Sequence, residues 1–137
     1  MEKEITIRMH VPEESYTGTY CVIQLSNTSY KLTGNDPINE NLRYGTIIEV
    51  EPEVKYEDGE MVFTFKRVFK ESDFSLIVLG LPTELNETEL RIVGKMITDK
   101  GGFWEVIFGG IGYVNLPKNS ELDVIAELNK TIKAKHG

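Results

Sequence analysis

The sequence has little of what catalytic and metal sites are usually built from. Its 137 residues contain one cysteine and two histidines, and the histidines lie far apart. A single thiol cannot form an internal disulfide, and two distant histidines match no metal-ligand spacing. No serine, cysteine or aspartate occurs in a recognisable nucleophile motif. We therefore expect no metal, no cofactor and no catalytic residue, and an enzyme is the less favoured class.

The one cysteine lies in an apolar run, Tyr20-Cys21-Val22-Ile23. A lone thiol in such a run is usually a small, buried hydrophobic side chain. A reactive thiol would need an imidazole base, which only two histidines could provide. The run therefore predicts that Cys21 is buried.

Basic residues and long apolar segments are also scarce. Lysine and arginine number 15 against 22 aspartates and glutamates, which gives a net charge of −7. Proteins that bind nucleic acids usually present a basic field, so we do not expect nucleic acid as a partner. No run reaches the roughly 18 apolar residues of a membrane span, and the first residues lack a long apolar signal segment. We expect no membrane association and a cytoplasmic location.

Length and composition are those of one folded domain. Apolar residues make up 40% and charged residues 27% of the chain, which is ordinary globular usage. We expect a single domain over residues 1–137, of the α+β class. It should have an antiparallel β-rich half over residues 1–72 and a β-α-β-β-α half over residues 73–137.

Short alternating segments and turn signals indicate strands in the first half. Residues 4–11, 19–25 and 28–33 each have the length and pattern of a strand, and residues 15–18 read as a turn. A long hairpin over residues 46–70 follows. These strands predict a bent sheet or a small barrel.

The hairpin turns at Asp58-Gly59, a pair suited to the positive φ angles of a type I′ turn. If these two residues form the loop, opposing residues have numbers that sum to 117. This register pairs Arg67 with Val50 on an apolar face, and Glu49 with Val68 on the other face.

Two features of this register bear on function. An arginine on an apolar face must extend to the sheet edge, pair with a carboxylate or bind an anion, and all three remain open for Arg67. The opposite face carries an acidic row that is either a solvated strand face or a docking strip for a basic partner. The row consists of Glu49, Glu51 and Glu53.

The second half begins with a strand and a helix. Residues 74–81 form an apolar run without alternation, which predicts a central strand covered on both faces. Asn86 and Glu89 have the spacing of a capping box, and Gly101-Gly102 ends the helix that follows.

Two strands and a last helix complete the chain. Residues 103–108 and 111–116 are predicted strands joined by Gly109-Gly110, and Ser120 is the predicted cap of the last helix. The order strand, helix, strand, strand, helix has ferredoxin-like character.

Part of this half resembles an RNA-recognition fold. Residues 76–81 followed by Pro82 are similar to its first strand, and residues 112–116 to its signature strand. That fold stacks bases on aromatic side chains flanked by basic residues. Here the first strand has no aromatic residue, and the signature strand has only Tyr113 with no basic residue before it. RNA is therefore not an expected ligand.

Trp104 and Glu105 form the remaining candidate site. Glu105 lies among strand hydrophobic residues and could be a buried carboxylate or the partner of Arg67. As an alternative function, a small-molecule or nucleotide site could use a cleft between the two halves, where Arg67, Trp104 and Glu105 would converge.

Four short segments are similar to a family of small bacterial domains of unknown function. In that family an N-terminal β half ends in a hairpin, and the C-terminal half carries a Gly-x-Trp-Glu element and a Val-x-x-Pro before the last helix. The resemblance implies the fold described above and no activity. The segments are Tyr30-Lys31-Leu32, Tyr44-Gly45-Thr46-Ile47-Ile48, Gly102-Phe103-Trp104-Glu105 and Val114-Asn115-Leu116-Pro117.

Small size, net acidity and the lack of a catalytic set favour a non-enzymatic cytoplasmic binding protein. An immunity- or antitoxin-like protein that neutralises a basic partner matches these properties, because charge complementarity speeds association. An exposed apolar strand edge could also support a homodimer.

Overall fold

The structure, a computed structural model, describes residues 3–136 of the chain. The chain is divided into two compact units, Met1–Asp73 and Phe74–Gly137. Among the described residues the first unit is built of strands, and the second combines a three-stranded sheet with two helices. The predicted α+β class is confirmed.

The N-terminal unit has six described strands, and five of them form a small barrel. The six strands are β1 (Glu4–Val11), β2 (Tyr16–Gln24), β3 (Ser29–Leu32), β4 (Ile47–Val50), β5 (Lys55–Glu57) and β6 (Glu60–Lys70). The order β1-β2-β3-β4-β6 closes on itself, because β1 pairs in parallel with β6 at its free edge. β5 lies outside this ring and, within residues 3–136, pairs only with β6. Of the two predicted arrangements, the barrel is the one that forms.

Alternate side chains of the strands fill the barrel, as the pleat of a strand requires. The prediction that Cys21 is buried is wrong, because its neighbours Tyr20 and Val22 point inward and Cys21 is exposed. The buried interior consists of Ile7, Met9, Val11, Tyr20, Val22, Tyr30, Leu32, Leu42, Ile48 and Val50.

β2 begins earlier than predicted. Pro12–Glu14 forms one turn of 3-10 helix, and Ser15 reverses the chain with a left-handed φ of 54°. Residues 16–18, predicted as part of a turn, already pair with β1, so that Tyr16 lies opposite Val11. The proline at the start of the 3-10 turn moves the reversal toward the N-terminus, because its fixed φ suits a first helical position.

The hairpin register is as predicted near its turn. Lys55, Tyr56 and Glu57 lie opposite Val62, Met61 and Glu60, and each pair sums to 117. Asp58 and Gly59 have φ angles of 52° and 81°, as a type I′ turn requires.

Farther from the turn the register shifts. Residues 51–54 form a bend around Pro52, which has no N–H to donate to the hydrogen bonds between the strands. These four residues lie opposite two residues of β6. Glu49 therefore faces Arg67 and Val50 faces Phe65, so the predicted pairs Val50–Arg67 and Glu49–Val68 are wrong. Lys66 and Phe69 are extra residues in β6 that have no opposing residue of their own in β4. Each forms a bulge, and each bulge shifts the pairing of β6 with β4 by one residue, back toward the predicted register.

The C-terminal unit is a three-stranded antiparallel sheet with two helices. Its elements are β7 (Phe74–Gly80), α1 (Glu87–Asp99), β8 (Phe103–Ile107), β9 (Ile111–Pro117) and α2 (Val124–His136). The strand order is β7-β9-β8, because the turn at residues 108–110 folds β9 back along β8 and β9 then pairs with β7. Phe108 belongs to this turn, with a left-handed φ of 55°, so the prediction that it ends the strand is wrong. β7 is therefore an edge strand with Ser75 and Val78 exposed, and the prediction that it is central is wrong.

Both helices begin at side-chain caps. The predicted capping box of α1 is confirmed, with Asn86 Oδ1 accepting from the Glu89 N–H and Glu89 Oε1 accepting from the Asn86 N–H, both at 2.9 Å. Asp123 caps α2 by accepting from the Ala126 N–H at 3.0 Å, so the prediction of Ser120 as the cap is wrong. Asp123 displaces it because the helix starts later, and Ser120 Oγ instead accepts from the Leu122 N–H.

The two helices are joined at one end and pack on one face of the sheet. Lys135 near the end of α2 donates to Glu89 Oε1 at 2.9 Å, and the pKa of Glu89 is lowered by the Asn86 N–H and by this lysine. The core beneath them comprises Leu85, Val93, Ile97, Val114, Leu116, Val124 and Leu128. Among residues 3–136, no helix is both long and apolar enough to cross a membrane.

Gly94 allows the Trp104 indole to lie directly on α1. A Cβ at Gly94 would approach Trp104 Nε1 to 2.5 Å, so Gly94→Ala should reduce the free energy of unfolding by about 1–3 kcal/mol. Urea unfolding followed by the fluorescence of Trp104, the single tryptophan, measures this. Gly80→Ala is the control, because nothing lies within 4 Å of its Cβ. Equal stability of the two variants would contradict the packing described.

Candidate functional site

The bulge at Lys66 brings two cations to one carboxylate. Arg67 Nε lies 3.2 Å and Lys66 Nζ 3.5 Å from the same oxygen, Glu49 Oε1. In a bulge two successive residues oppose one residue of the partner strand, which places both beside it. Of the alternatives left open for Arg67, an internal ion pair is the one observed. The pair involves Glu49 instead of Glu105, and the Arg67 side chain remains 60% exposed.

The predicted acidic row is divided by the bend in the hairpin. Glu49 belongs to β4 and is paired, whereas Glu51 and Glu53 belong to the bend. Two further carboxylates, Glu57 and Asp58, lie at the turn and are exposed. Among residues 3–136, no ion pair is formed by Glu51, Glu53, Glu57 or Asp58. Glu60, in contrast, is paired with Arg8 at 2.9 Å.

Most of the net charge of the protein is located in this one segment. Residues 49–60 contain six acidic residues and one lysine, a net charge of −5. The remaining 125 residues contain 16 acidic and 14 basic residues, a net charge of −2. We call residues 51–61 the acidic hairpin, which includes the bend, β5, the turn and the first two residues of β6.

Two large apolar side chains are exposed on the acidic hairpin. Tyr56 is 68% and Met61 47% exposed, and the two face each other across the β5–β6 pair. Every residue of β5 is exposed, and its second edge has no strand beside it among the described residues. An exposed aromatic residue beside unpaired charges and a free strand edge is a combination typical of binding surfaces.

Trp104 and Glu105 are neighbours on β8 and leave it on opposite faces. Trp104 packs against the helix-side core, whereas Glu105 lies opposite Tyr113 on the other face of the sheet. Arg67 belongs to the N-terminal unit. The structure therefore brings Arg67 together with Glu49 and does not bring Trp104 together with Glu105.

Trp104 lines an apolar cavity of about 540 Å³ in the C-terminal unit. The cavity lies between α1 and the β8–β9 turn, and Leu81, Leu85 and Leu90 contribute to its walls. Its charged rim residues Glu87 and Arg91 are paired with each other at 2.7 Å. The cavity thus offers apolar walls and few polar groups with which to orient a ligand.

A buried carboxylate with two tyrosines lies beside the barrel and was not predicted. Asp36 Oδ2 accepts from Tyr20 Oη at 2.6 Å and from Tyr16 Oη, while Asp36 Oδ1 accepts from the Ile38 N–H at 2.8 Å. Burial and the hydrogen bond to Asp36 raise the pKa of Tyr16 to about 12, and burial raises that of Tyr20 well above its usual range. The network holds the loop after β3 against the barrel. No local pattern in the sequence indicates it, because the two tyrosines lie 20 and 16 residues from Asp36.

Within residues 3–136, no three His, Cys, Asp or Glu side chains come close enough together to hold a metal ion.

Comparisons with known proteins define the fold and leave the activity open. No protein-family model matches the chain, and no curated protein sequence matches it. The chain is similar to a crystal structure described as that of a hypothetical protein from Neisseria gonorrhoeae. The TM-score is 0.54 at 16% sequence identity, and the match covers 98% of this chain and 91% of the other. At that identity the likeness shows a shared fold, one that occurs in an uncharacterised bacterial protein.

The hydrogen bonds of Tyr16 and Tyr20 to Asp36 make the free energy of unfolding depend on pH in the alkaline range. Tyrosine in the unfolded chain ionises near pH 10, whereas Tyr16 and Tyr20 remain protonated in the folded protein to about pH 12 or above. Their contribution is fully present below about pH 10 and is lost as the pH rises above it. The urea midpoint should therefore fall between about pH 10 and pH 12. Tyr20→Phe should reduce this slope, and Tyr56→Phe, at an exposed position, should keep it. An unchanged slope in Tyr20→Phe would contradict the assignment.

Proposed function

We propose that this chain is a non-enzymatic, cytoplasmic binding protein that recognises a basic protein partner through its acidic hairpin. The observation that supports the proposal is that residues 51–61 carry a net charge of −4 out of the total of −7. An immunity- or antitoxin-like role, in which an acidic protein neutralises a basic one, is the form of this function that the size and charge of the chain favour.

Charge supplies the long-range part of the recognition. Glu51, Glu53, Glu57 and Asp58 have no cation within ion-pair distance among the described residues, so their field extends into solvent. Concentrated charge of one sign steers a complementary partner and raises the association rate by about 10- to 1,000-fold at low salt. Scattered carboxylates neutralised by lysines would give no such field.

Tyr56 and Met61 supply the short-range part. They form a cross-strand pair in the middle of the carboxylates, and both are exposed. Binding energy in protein interfaces is concentrated in a few aromatic and apolar side chains surrounded by polar groups. The acidic hairpin has this arrangement, with apolar side chains flanked by charge. The free edge of β5 can also pair with an extended segment of the partner.

Neutralising the acidic hairpin should abolish the electrostatic steering. The variant combines Glu51→Gln, Glu53→Gln, Glu57→Gln and Asp58→Asn, and asparagine tolerates the φ of 52° at position 58. The partner is first isolated from native cytoplasm by crosslinking to the wild-type chain, and its association rate is then measured at several salt concentrations. We expect a fall of about tenfold or more at low salt, with a smaller change in dissociation rate.

The control for this experiment removes four charges elsewhere. Glu4, Glu14, Glu40 and Glu121 are exposed, lie outside the acidic hairpin and have no ion pair among the described residues. Their replacement by glutamine changes the net charge equally and should leave association within about threefold of wild type. Equal losses in both variants, or a captured partner that is acidic, would contradict the proposed surface.

Tyr56 should act on the lifetime of the complex. Removing a central aromatic anchor typically costs about 2 kcal/mol or more of binding free energy. Tyr56→Ala should therefore raise the dissociation rate about 30-fold and leave the association rate nearly unchanged. Surface plasmon resonance with the isolated partner measures both rates. Leu25→Ala, at another exposed apolar residue, is the control.

A further inference from the structure

A polar cavity lies beside the bulge in β6, within the N-terminal unit. It has a volume of about 450 Å³, and its lining includes Arg43, Lys66 and Arg67. Asn39, Asn41 and Phe65 also line it. A concentration of three cations is unexpected in a protein of net charge −7. The cavity is within the range of about 300–1,000 Å³ that small-molecule sites occupy.

The two bulge cations keep hydrogen-bond donors for a ligand. Glu49 is their shared partner, but the approaches of 3.2 Å and 3.5 Å are ion pairs without hydrogen-bond geometry. Among residues 3–136, neither Arg67 nor Lys66 donates a side-chain hydrogen bond. One carboxylate also offsets only one of the two positive charges. The bulge therefore holds a positively charged set of N–H groups that face solvent.

The neighbouring amides add donors on the loop side. Asn39 Oδ1 accepts from the Asn41 N–H at 3.0 Å, which orients the Asn39 side chain, and its NH₂ group donates no hydrogen bond to the described residues. The side-chain amide of Asn41 makes no hydrogen bond to the described residues. Arginine, lysine and amide donors in one cavity match an oxyanion, because a guanidinium can bind two of its oxygens at once.

We propose that this cavity binds the phosphate group of a small phosphorylated molecule. The arginine fork and the lysine hold the phosphate oxygens, and Phe65 offers an apolar wall to the rest of the ligand. Glu13 and Glu71 also line the cavity, and together with Glu49 they balance the formal charge of its three cations. This balance favours a single phosphate group over a triphosphate. The site does not depend on the acidic hairpin, so either proposal can fail alone.

The test uses the full chain and defined probes. Isothermal titration calorimetry at low salt and pH 7.5 is carried out with ribose 5-phosphate, ribose, inorganic phosphate and acetate. We expect ribose 5-phosphate to bind with a Kd at or below about 1 mM, inorganic phosphate to bind more weakly, and ribose and acetate not to bind. Equal affinity for acetate and phosphate would overturn the assignment of phosphate, and no saturable binding by either phosphate compound would overturn the site.

Two variants locate the binding. Arg67→Gln should raise the Kd for ribose 5-phosphate about tenfold or more, and Lys66→Gln by a smaller factor, because arginine provides two parallel hydrogen bonds. Arg91→Gln is the matched control, since Arg91 is another exposed arginine paired with a glutamate, at 2.7 Å. An unchanged Kd in Arg67→Gln and Lys66→Gln, or an equal rise in Arg91→Gln, would overturn the proposal. Lys66→Gln keeps the test valid if Arg67→Gln does not fold.

Discussion

The pairing of β6 with β4 is the constraint on which the N-terminal unit depends. β6 must close the barrel against β1 and also continue the hairpin, and the bend at residues 51–54 places two more residues between β4 and β5 than β6 has opposite them. Two extra residues in β6, Lys66 and Phe69, compensate for this mismatch as bulges. A shift of one residue moves a side chain to the other face of a strand. The bulge before Arg67 therefore decides whether a guanidinium enters the barrel or meets a carboxylate outside it.

The energetic difference between these outcomes is large. An unpaired charge inside an apolar barrel would cost on the order of 3–5 kcal/mol, a substantial part of the stability of a small domain. In the observed register Val50 fills the interior and Arg67 lies beside Glu49. The same shift leaves Phe69 62% exposed, which is the cost of restoring the pairing at Ile47 and Lys70. As a consequence, Lys66 also reaches Glu49, and Lys66 and Arg67 together line the polar cavity.

Local signals in the sequence were sufficient for part of this fold. The Asp58-Gly59 turn and the capping box of α1 each depend on a few adjacent residues, and both form as expected. A turn also forms at Gly109-Gly110, but it includes Phe108, which was predicted to be the last residue of the strand. The bulges, the edge position of β7 and the exposure of Cys21 depend on which strands pair, and pairing is decided by residues distant in the sequence. Asp36 was missed for the same reason, because its tyrosine partners are 16 and 20 residues away.

The two candidate sites also differ in how far the sequence predicts them. The acidic character of the hairpin could be predicted from composition alone, and the structure adds the bend that separates Glu49 from Glu51 and Glu53. The meeting of Arg67, Lys66 and Glu49 required the bulge and could not be predicted. β6 thus joins a carboxylate-rich turn at one end to a cavity that three cations line farther along the strand. One strand can in this way carry a protein-binding surface and a small anion site without either neutralising the other.

The central claim is the bulged register, and backbone NMR tests it most directly. In an antiparallel pair, cross-strand nuclear Overhauser contacts identify which residues face each other, because opposing Cα atoms are about 4.5–5.5 Å apart. The bulged register predicts contacts of Glu49 with Arg67 and of Val50 with Phe65. Contacts of Glu49 with Val68 and of Val50 with Arg67 would show an uninterrupted hairpin and contradict it.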